Sequence, residues 1–259
     1  MLPSKQIGLS CYDIFASYAY STGTNDLSSA RFTIDVEDIP SYGCYRLLYY
    51  NKMLVNGPKF TNLKSVGNHG LAQAFQHCQS LADSPNLTNL KSIGDYGLDN
   101  AFNTCSSLTS VELPSTPISV GIYGCRQAFS KSGIKTVENL NLSGISNYGC
   151  QGMFLSCADL EKVDGLSVEN LSTYALSGMF SNCSSLTSVQ DLHIDNSEET
   201  KNKTGSAKCD SMFRNCKSLL SVGGLIKGLY GQRQLGYMFR NRKSLKDASK
   251  LSVEINYGQ

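Results

Sequence analysis

The sequence is most informative at first in what it lacks. It has ten cysteines but no C-x-x-C pair, so neither a zinc ribbon nor a thioredoxin-like redox centre is encoded. There is no G-x-S-x-G, no phosphate-binding glycine loop and no H-E-x-x-H. The three histidines, His69, His77 and His193, are scattered without an evident acid–base partner. No apolar run approaches the roughly 20 residues needed to span a bilayer. Charged residues are only 17% of the chain, below the usual fraction of about a quarter, and the formal net charge is +2. Bulk electrostatics therefore give no reason to expect nucleic acid or membrane insertion. Met1-Leu2-Pro3-Ser4-Lys5-Gln6 has no charged segment leading into an apolar one, as a secretory signal requires. That leaves an intracellular chain, a truncated one, export by another route, or a virion component released by lysis. What is present is a hydrophobic fraction of 41%, enough for a sizeable core.

That hydrophobic content is periodic. Ala101-Phe102-Asn103-Thr104-Cys105-Ser106-Ser107-Leu108 returns as Met153 to Leu160, Met179 to Leu186 and Met212 to Leu219. The anchor aromatic falls at Phe75, Phe102, Phe129, Phe154, Phe180, Phe213 and Phe239, with Leu48 and Phe15 as weaker members before them. Successive spacings are 33, 27, 27, 27, 25, 26, 33 and 26 residues. Spacings in this range mark stacked units, each too small to bury its own apolar face. About nine such units would span the chain.

Each unit has the same order of parts. A polar residue of helix-capping type (Ser41, Asn68, Asp95, Asn147, Thr173) is usually followed by Tyr-Gly. Apolar residues then fall four before the anchor, at the anchor and three after it, which predicts one face of a short helix. Leu-x-x-Val and an apolar alternation such as Leu140-Asn141-Leu142 follow, predicting a short strand. One strand and one helix per coil is the expected unit.

At these residues the sequence resembles the BspA-like leucine-rich repeats. The core from Ala101 to Val111 and the stretch from Ser107 to Gly124 carry the likeness, which covers roughly 41 to 253. The resemblance implies a right-handed α/β solenoid with a parallel sheet on one face. It implies surface proteins of gut and oral bacteria, of some protozoa, and of phages of those bacteria. It also implies adhesion and binding, with no catalytic residues to carry over. The period here is longer than the family's common one. The expected architecture is a single solenoid over 1–259, with an irregular first unit at 1–41 and a basic, incomplete last unit at 227–259.

All ten cysteines fall in two columns of the repeat. Cys11, Cys44, Cys125, Cys150 and Cys209 lie four before the anchor, where other units have leucine. Cys78, Cys105, Cys157, Cys183 and Cys216 lie three after it. Core thiols are the expectation, since cysteine is often buried as a small hydrophobe. With helices about 8–10 Å apart, a disulfide's Cα separation of about 7 Å or less would not be met. No cofactor or metal is expected. Tyr42, Tyr96, Tyr123, Tyr148 and Tyr174 form a third column, with His69 substituting once. It reads as a ladder packing between coils or as a sugar-binding stripe, with the ladder preferred. Asn-x-Ser/Thr sequons at Asn86, Asn141, Asn170, Asn182 and Asn202 read as by-products of a Ser- and Asn-rich repeat.

One polar position recurs where alternation alone would not require it. It follows the strand valine and holds Glu112, Glu138, Asp164 and Gln190. Stacked in a parallel sheet these would lie about 5 Å apart, and Lys135 and Lys162 on the same strands would offset the repulsion. The row reads as a solvated sheet face or as a ligand groove, with the solvated face preferred; as a groove it is the candidate binding face. The polar stretch from Asp195 to Ser206 and the segment between Thr22 and Asp38 read as insertions. The last unit is basic, and Arg240, Arg242, Lys243 and Tyr257 form a candidate assembly end. The functional expectation is a non-catalytic, surface-exposed module that binds a protein or glycan on a cell surface. The alternative is a virion component, such as a fibre, tail or decoration protein, that assembles or attaches to a host through the repeat.

Overall fold

A computed structural model describes residues 33–34, 36–57, 59–60, 62–83, 86–196, 208–229, 237–240 and 245–255. The strands are β1 (Thr33–Ile34), β2 (Asp38–Ile39), β3 (Lys59–Phe60), β4 (Ser65–Val66), β5 (Ser92–Ile93), β6 (Ile118–Val120) and β7 (Thr136–Glu138). They continue as β8 (Asn141–Ile145), β9 (Lys162–Asp164), β10 (Ser167–Leu171), β11 (Ser188–Asp195), β12 (Ser221–Leu229) and β13 (Leu251–Ile255). Every pairing is parallel. The main path runs β2-β4-β5-β6-β8-β10-β11-β12-β13, with a side ladder β7-β9-β11. β1 and β3 make a separate pair. This is a solenoid: each strand's neighbours are the equivalent strands of the coils before and after it.

Register puts like residue on like. Ile39, Val66, Ile93, Val120, Ile145 and Leu171 form one buried column, and Ile118, Leu142, Val168, Ile194 and Ile226 a second. Val137, Val163, Val189 and Val222 make a third on the side ladder. Each fully buried side chain of this size stabilises the fold by about 1.5–3 kcal/mol. Between the side ladder and the main sheet the chain turns a corner at Asn139, Gly165 and Asp191. All three have positive φ, a conformation that Gly, Asn and Asp adopt most readily. Leu113 occupies that place one coil earlier without positive φ, and Glu112 beside it belongs to no strand.

The expected helices are not there: the described residues contain no α-helix. In their place stand ribbons of overlapping turns at 41–50, 68–77, 95–104, 122–131, 147–156, 173–182 and 208–215, which give about seven coils. The coil anchored at Phe15 lies outside the described residues. Backbone bonding alternates along each ribbon. The N–H groups of Gly70, Ala72 and Ala74 donate to the carbonyl three residues back, at 2.9–3.2 Å. Those of His69, Leu71, Gln73 and Phe75 donate to the next coil, at 2.8–2.9 Å. Half of the ribbon is thus bonded as a turn and half as a ladder.

Pitch explains why a ribbon stands where a helix was expected. Strands stack about 4.7–4.9 Å apart, whereas packed helices need about 8–10 Å. The anchor rings from Phe75 to Phe239 stack at 5.0–5.6 Å, so the ribbon side keeps the pitch of the sheet. The ribbon requires positive φ at every fourth residue, as at Tyr96, Asn100 and Thr104. For a residue with a Cβ this costs about 1–2 kcal/mol, offset by the inter-coil bonds. The recurrent Tyr-Gly has a steric cause: a Cβ on Gly97 would lie 2.7 Å from Ile93 Cγ2.

Candidate functional site

The nine described cysteines are free and buried. Those three after the anchor share one partner type. Cys105 Sγ donates to Phe75 O at 3.1 Å, and Cys157, Cys183 and Cys216 donate to Phe129, Phe154 and Phe180 at 3.1–3.2 Å. Burial pushes the Cys78, Cys209 and Cys216 thiols up to about 12 and Cys157 to about 11, against thiolate formation. The spacing argument for unpaired thiols fails, because cysteines in adjacent coils stack at sheet pitch and not at helix pitch. Cys11 lies outside the described residues.

The tyrosine column is a continuous stack. Tyr42, His69, Tyr96, Tyr123, Tyr148 and Tyr174 follow one another with ring centroids 4.7–5.2 Å apart. Ring faces from His69 to Tyr148 are covered by neighbours on both sides, so these rings have no face free to stack on a sugar. Beside the column, Arg126 makes a bidentate pair with the buried Asp99 at 2.8 Å and lies 4.7 Å from the Tyr123 ring. The hydrogen bond to Asp99 raises the Arg126 pKa above its ordinary value. Burial, followed by Lys52 and Lys131, lowers the His77 pKa.

On the strand side, the side ladder brings together four of the six residues expected on the binding face. Glu138 pairs with Asp164, and Asp164 with Gln190, in register; Glu138 and Gln190 are exposed. Lys162 forms an ion pair with Asp164 at 2.7 Å. The hydrogen bond to Asp164 raises the Lys162 pKa, with Glu138 and Asp191 adding to it. Lys135 is exposed, and its N–H bonds to Thr109 O at 3.0 Å, which carries the row towards Glu112. Glu112 itself lies at the rim of a groove with Lys59, Phe60 and Asp83. At the candidate assembly end, Arg240 lies 4.8 Å from the centre of the Tyr237 ring. Arg242, Lys243 and Tyr257 lie outside the described residues.

A feature of the ribbon face escaped the sequence reading. Its second positive-φ column reads Arg46, Gln73, Asn100, Gln127, Gly152, Gly178 and Ser211. The two glycines remove side chains from the middle of the row and open a cleft of about 580 Å³. The signal was the shared Gly-Met-Phe of Gly152-Met153-Phe154 and Gly178-Met179-Phe180.

Among the described residues, no group of three His, Cys, Asp or Glu could hold a metal, and no helix is long and apolar enough to cross a membrane. Parallel strands stacked coil upon coil, stacked aromatics and a core of like side chains define a repeat solenoid, an architecture that offers long surfaces. The BspA-type leucine rich repeat region matches residues 71–222 in six copies, and the chain belongs to that family. Its repeats mark an interaction or adhesion type of module. No curated protein matches the sequence. Among solved structures, a leucine-rich repeat protein from Bacteroides ovatus matches with 18% identity and a TM-score of 0.42, over 86% of this chain and 71% of that one.

Proposed function

We propose that the protein is a non-catalytic binding module, displayed on a surface, that recognises a protein or glycan partner through the strand-side row of Glu112, Lys135, Glu138, Lys162, Asp164 and Gln190. The observation that carries this reading is the register Glu138–Asp164–Gln190, which stacks polar side chains from consecutive coils on the outer side of a buried valine column. Two carboxylates at sheet pitch repel each other, a cost the fold does not need. One lysine, Lys162, offsets it only in part. A row that works against the sheet it sits on is better explained by what it meets outside. The family's interaction role supports the same reading. The test is adhesion of the chain, fixed on beads, to epithelial cells and extracellular-matrix proteins. Glu138→Lys with Asp164→Lys should abolish binding while circular dichroism stays unchanged. Undiminished binding would remove the row from the site.

A second reading, assembly in a virion or a larger surface structure, is favoured by β13, which pairs on one edge only among the described residues. An unpaired edge is a template for another chain. A concentration-dependent sedimentation coefficient would support it, and a monomer at all concentrations would count against it.

A further inference from the structure

We propose that the cleft over Gly152 and Gly178 is a second binding site, on the ribbon face, for an acidic oligosaccharide. This rests on the binding-module reading but not on the strand-side row. The cleft is bounded by three ribbon columns and extends from the coil of Asn100 to that of Arg214. That is five coils, or about 20 Å at sheet pitch, the reach of a short sugar chain. Its lining chemistry is specific. Gln127, Gln151, Ser177 and Arg214 line it, and their side chains make no hydrogen bond or ion pair among the described residues. Amides and hydroxyls with unspent donors and acceptors suit a ligand rich in hydroxyl groups. The two guanidiniums differ. Arg126, at one end, is already committed to Asp99, whereas Arg214, at the other, is exposed and uncommitted. A guanidinium in that state is suited to hold a carboxylate through paired charge-assisted bonds. Asp210, the one carboxylate in the lining, accepts the Ser211 hydroxyl at 3.0 Å, which leaves Arg214 as the group that favours an acidic sugar over a neutral one.

The same geometry argues against a peptide. A peptide strand would need free backbone groups or apolar pockets. Along the cleft floor the N–H groups of Gly152 and Gly178 are bonded to Ser177 O and Asp210 O of the next coil, both at 2.8 Å. Leu155 is the one large apolar side chain in the lining.

The cleft can be filled by a residue type that the ribbon already carries in this column, at the strain that a side chain meets at positive φ. Gln73 and Gln127 occupy the same column with φ of 57° and 50°, so the ribbon accepts glutamine there. A Cβ built on Gly178 meets nothing nearer than Ser181 Cβ at 3.8 Å. The experiment is an array of oligosaccharides ending in uronic or sialic acid, beside their neutral counterparts, probed with the purified chain. The wild type should bind a subset of the acidic glycans. Gly152→Gln with Gly178→Gln should weaken that binding about tenfold or more. Arg214→Gln, at an exposed position, should remove the preference for acidic over neutral glycans. The Glu138→Lys, Asp164→Lys variant should bind the array like wild type, so loss of the strand-side reading alone leaves this site standing. No glycan bound by the wild type, equal binding by the filled and open clefts, or binding confined to neutral glycans would each overturn the assignment.

Discussion

The Cys105 thiol donates to the Phe75 carbonyl of the preceding coil at 3.1 Å, and the Phe75 carbonyl also accepts the Cys78 N–H at 3.1 Å within its own coil. One oxygen thus joins two coils, and the arrangement repeats along the solenoid. It explains why cysteine, and not alanine or valine, recurs three residues after the anchor: the position needs a small, buried side chain that can still donate. Ser132 takes the position once, but its hydroxyl donates to Phe129 O of its own coil at 2.7 Å, and Phe129 O receives its bond from the next coil through Cys157.

The first prediction concerns thiol reactivity. In the folded chain a water-soluble disulfide reagent at neutral pH should react with none of the nine described cysteines, because all are buried and burial disfavours the thiolates of Cys78, Cys105, Cys157, Cys183, Cys209 and Cys216. In denaturant without reductant all ten thiols of the sequence should react. Fewer would mean that stacked cysteines have closed into disulfides.

Stability should fall in alkali. A cysteine held at about 12 in the fold keeps its proton there, while the unfolded chain loses it from near pH 8.5 upward. Between those values the folded state binds more protons, so stability is fully present below about pH 8.5 and declines as pH rises. The slope is about 1.4 kcal/mol per pH unit for each such group. Urea midpoints measured from pH 7 to pH 11 should decrease, and Cys216→Ser should flatten the decrease.

Phe154 is fully buried and stacks at 5.5 Å on Phe129 and 5.4 Å on Phe180. Phe154→Ala should cost about 3–5 kcal/mol in chemical denaturation. Lys91 is exposed, and Lys91→Ala should cost less than about 0.5 kcal/mol. Equal midpoints for the two variants would contradict the core columns.

Much of this was legible in the residues. The constant offset of Phe, Cys and Leu within each unit fixed which side chains stack, and the shared offset from Val137, Val163 and Val189 placed Glu138, Asp164 and Gln190 in one row. The ribbon was not legible from periodicity. Over ten residues, apolar positions at four before, at and three after an anchor satisfy both a 3.6-residue helix and a four-residue ribbon. The distinguishing signs were elsewhere. Asn and Gly recur at the positive-φ places, as at Asn100, Gly152, Gly178 and Asn182. The sheet pitch, too, leaves no room for a helix in every coil. Glu112 was misplaced in a strand because valine alone was taken as the marker. The corner residue two positions after it, Leu113 in place of Asn139 or Gly165, decides whether the side ladder forms.

The most direct test of the binding account is photo-crosslinking from single positions. A crosslinking residue is placed at Gln190 in one variant and at Ser184, an exposed turn position outside the row, in another. Each is then illuminated on the cells or matrix protein to which the chain adheres. The account predicts covalent capture of the partner from Gln190 and little from Ser184. Capture from Ser184 with none from Gln190 would contradict it.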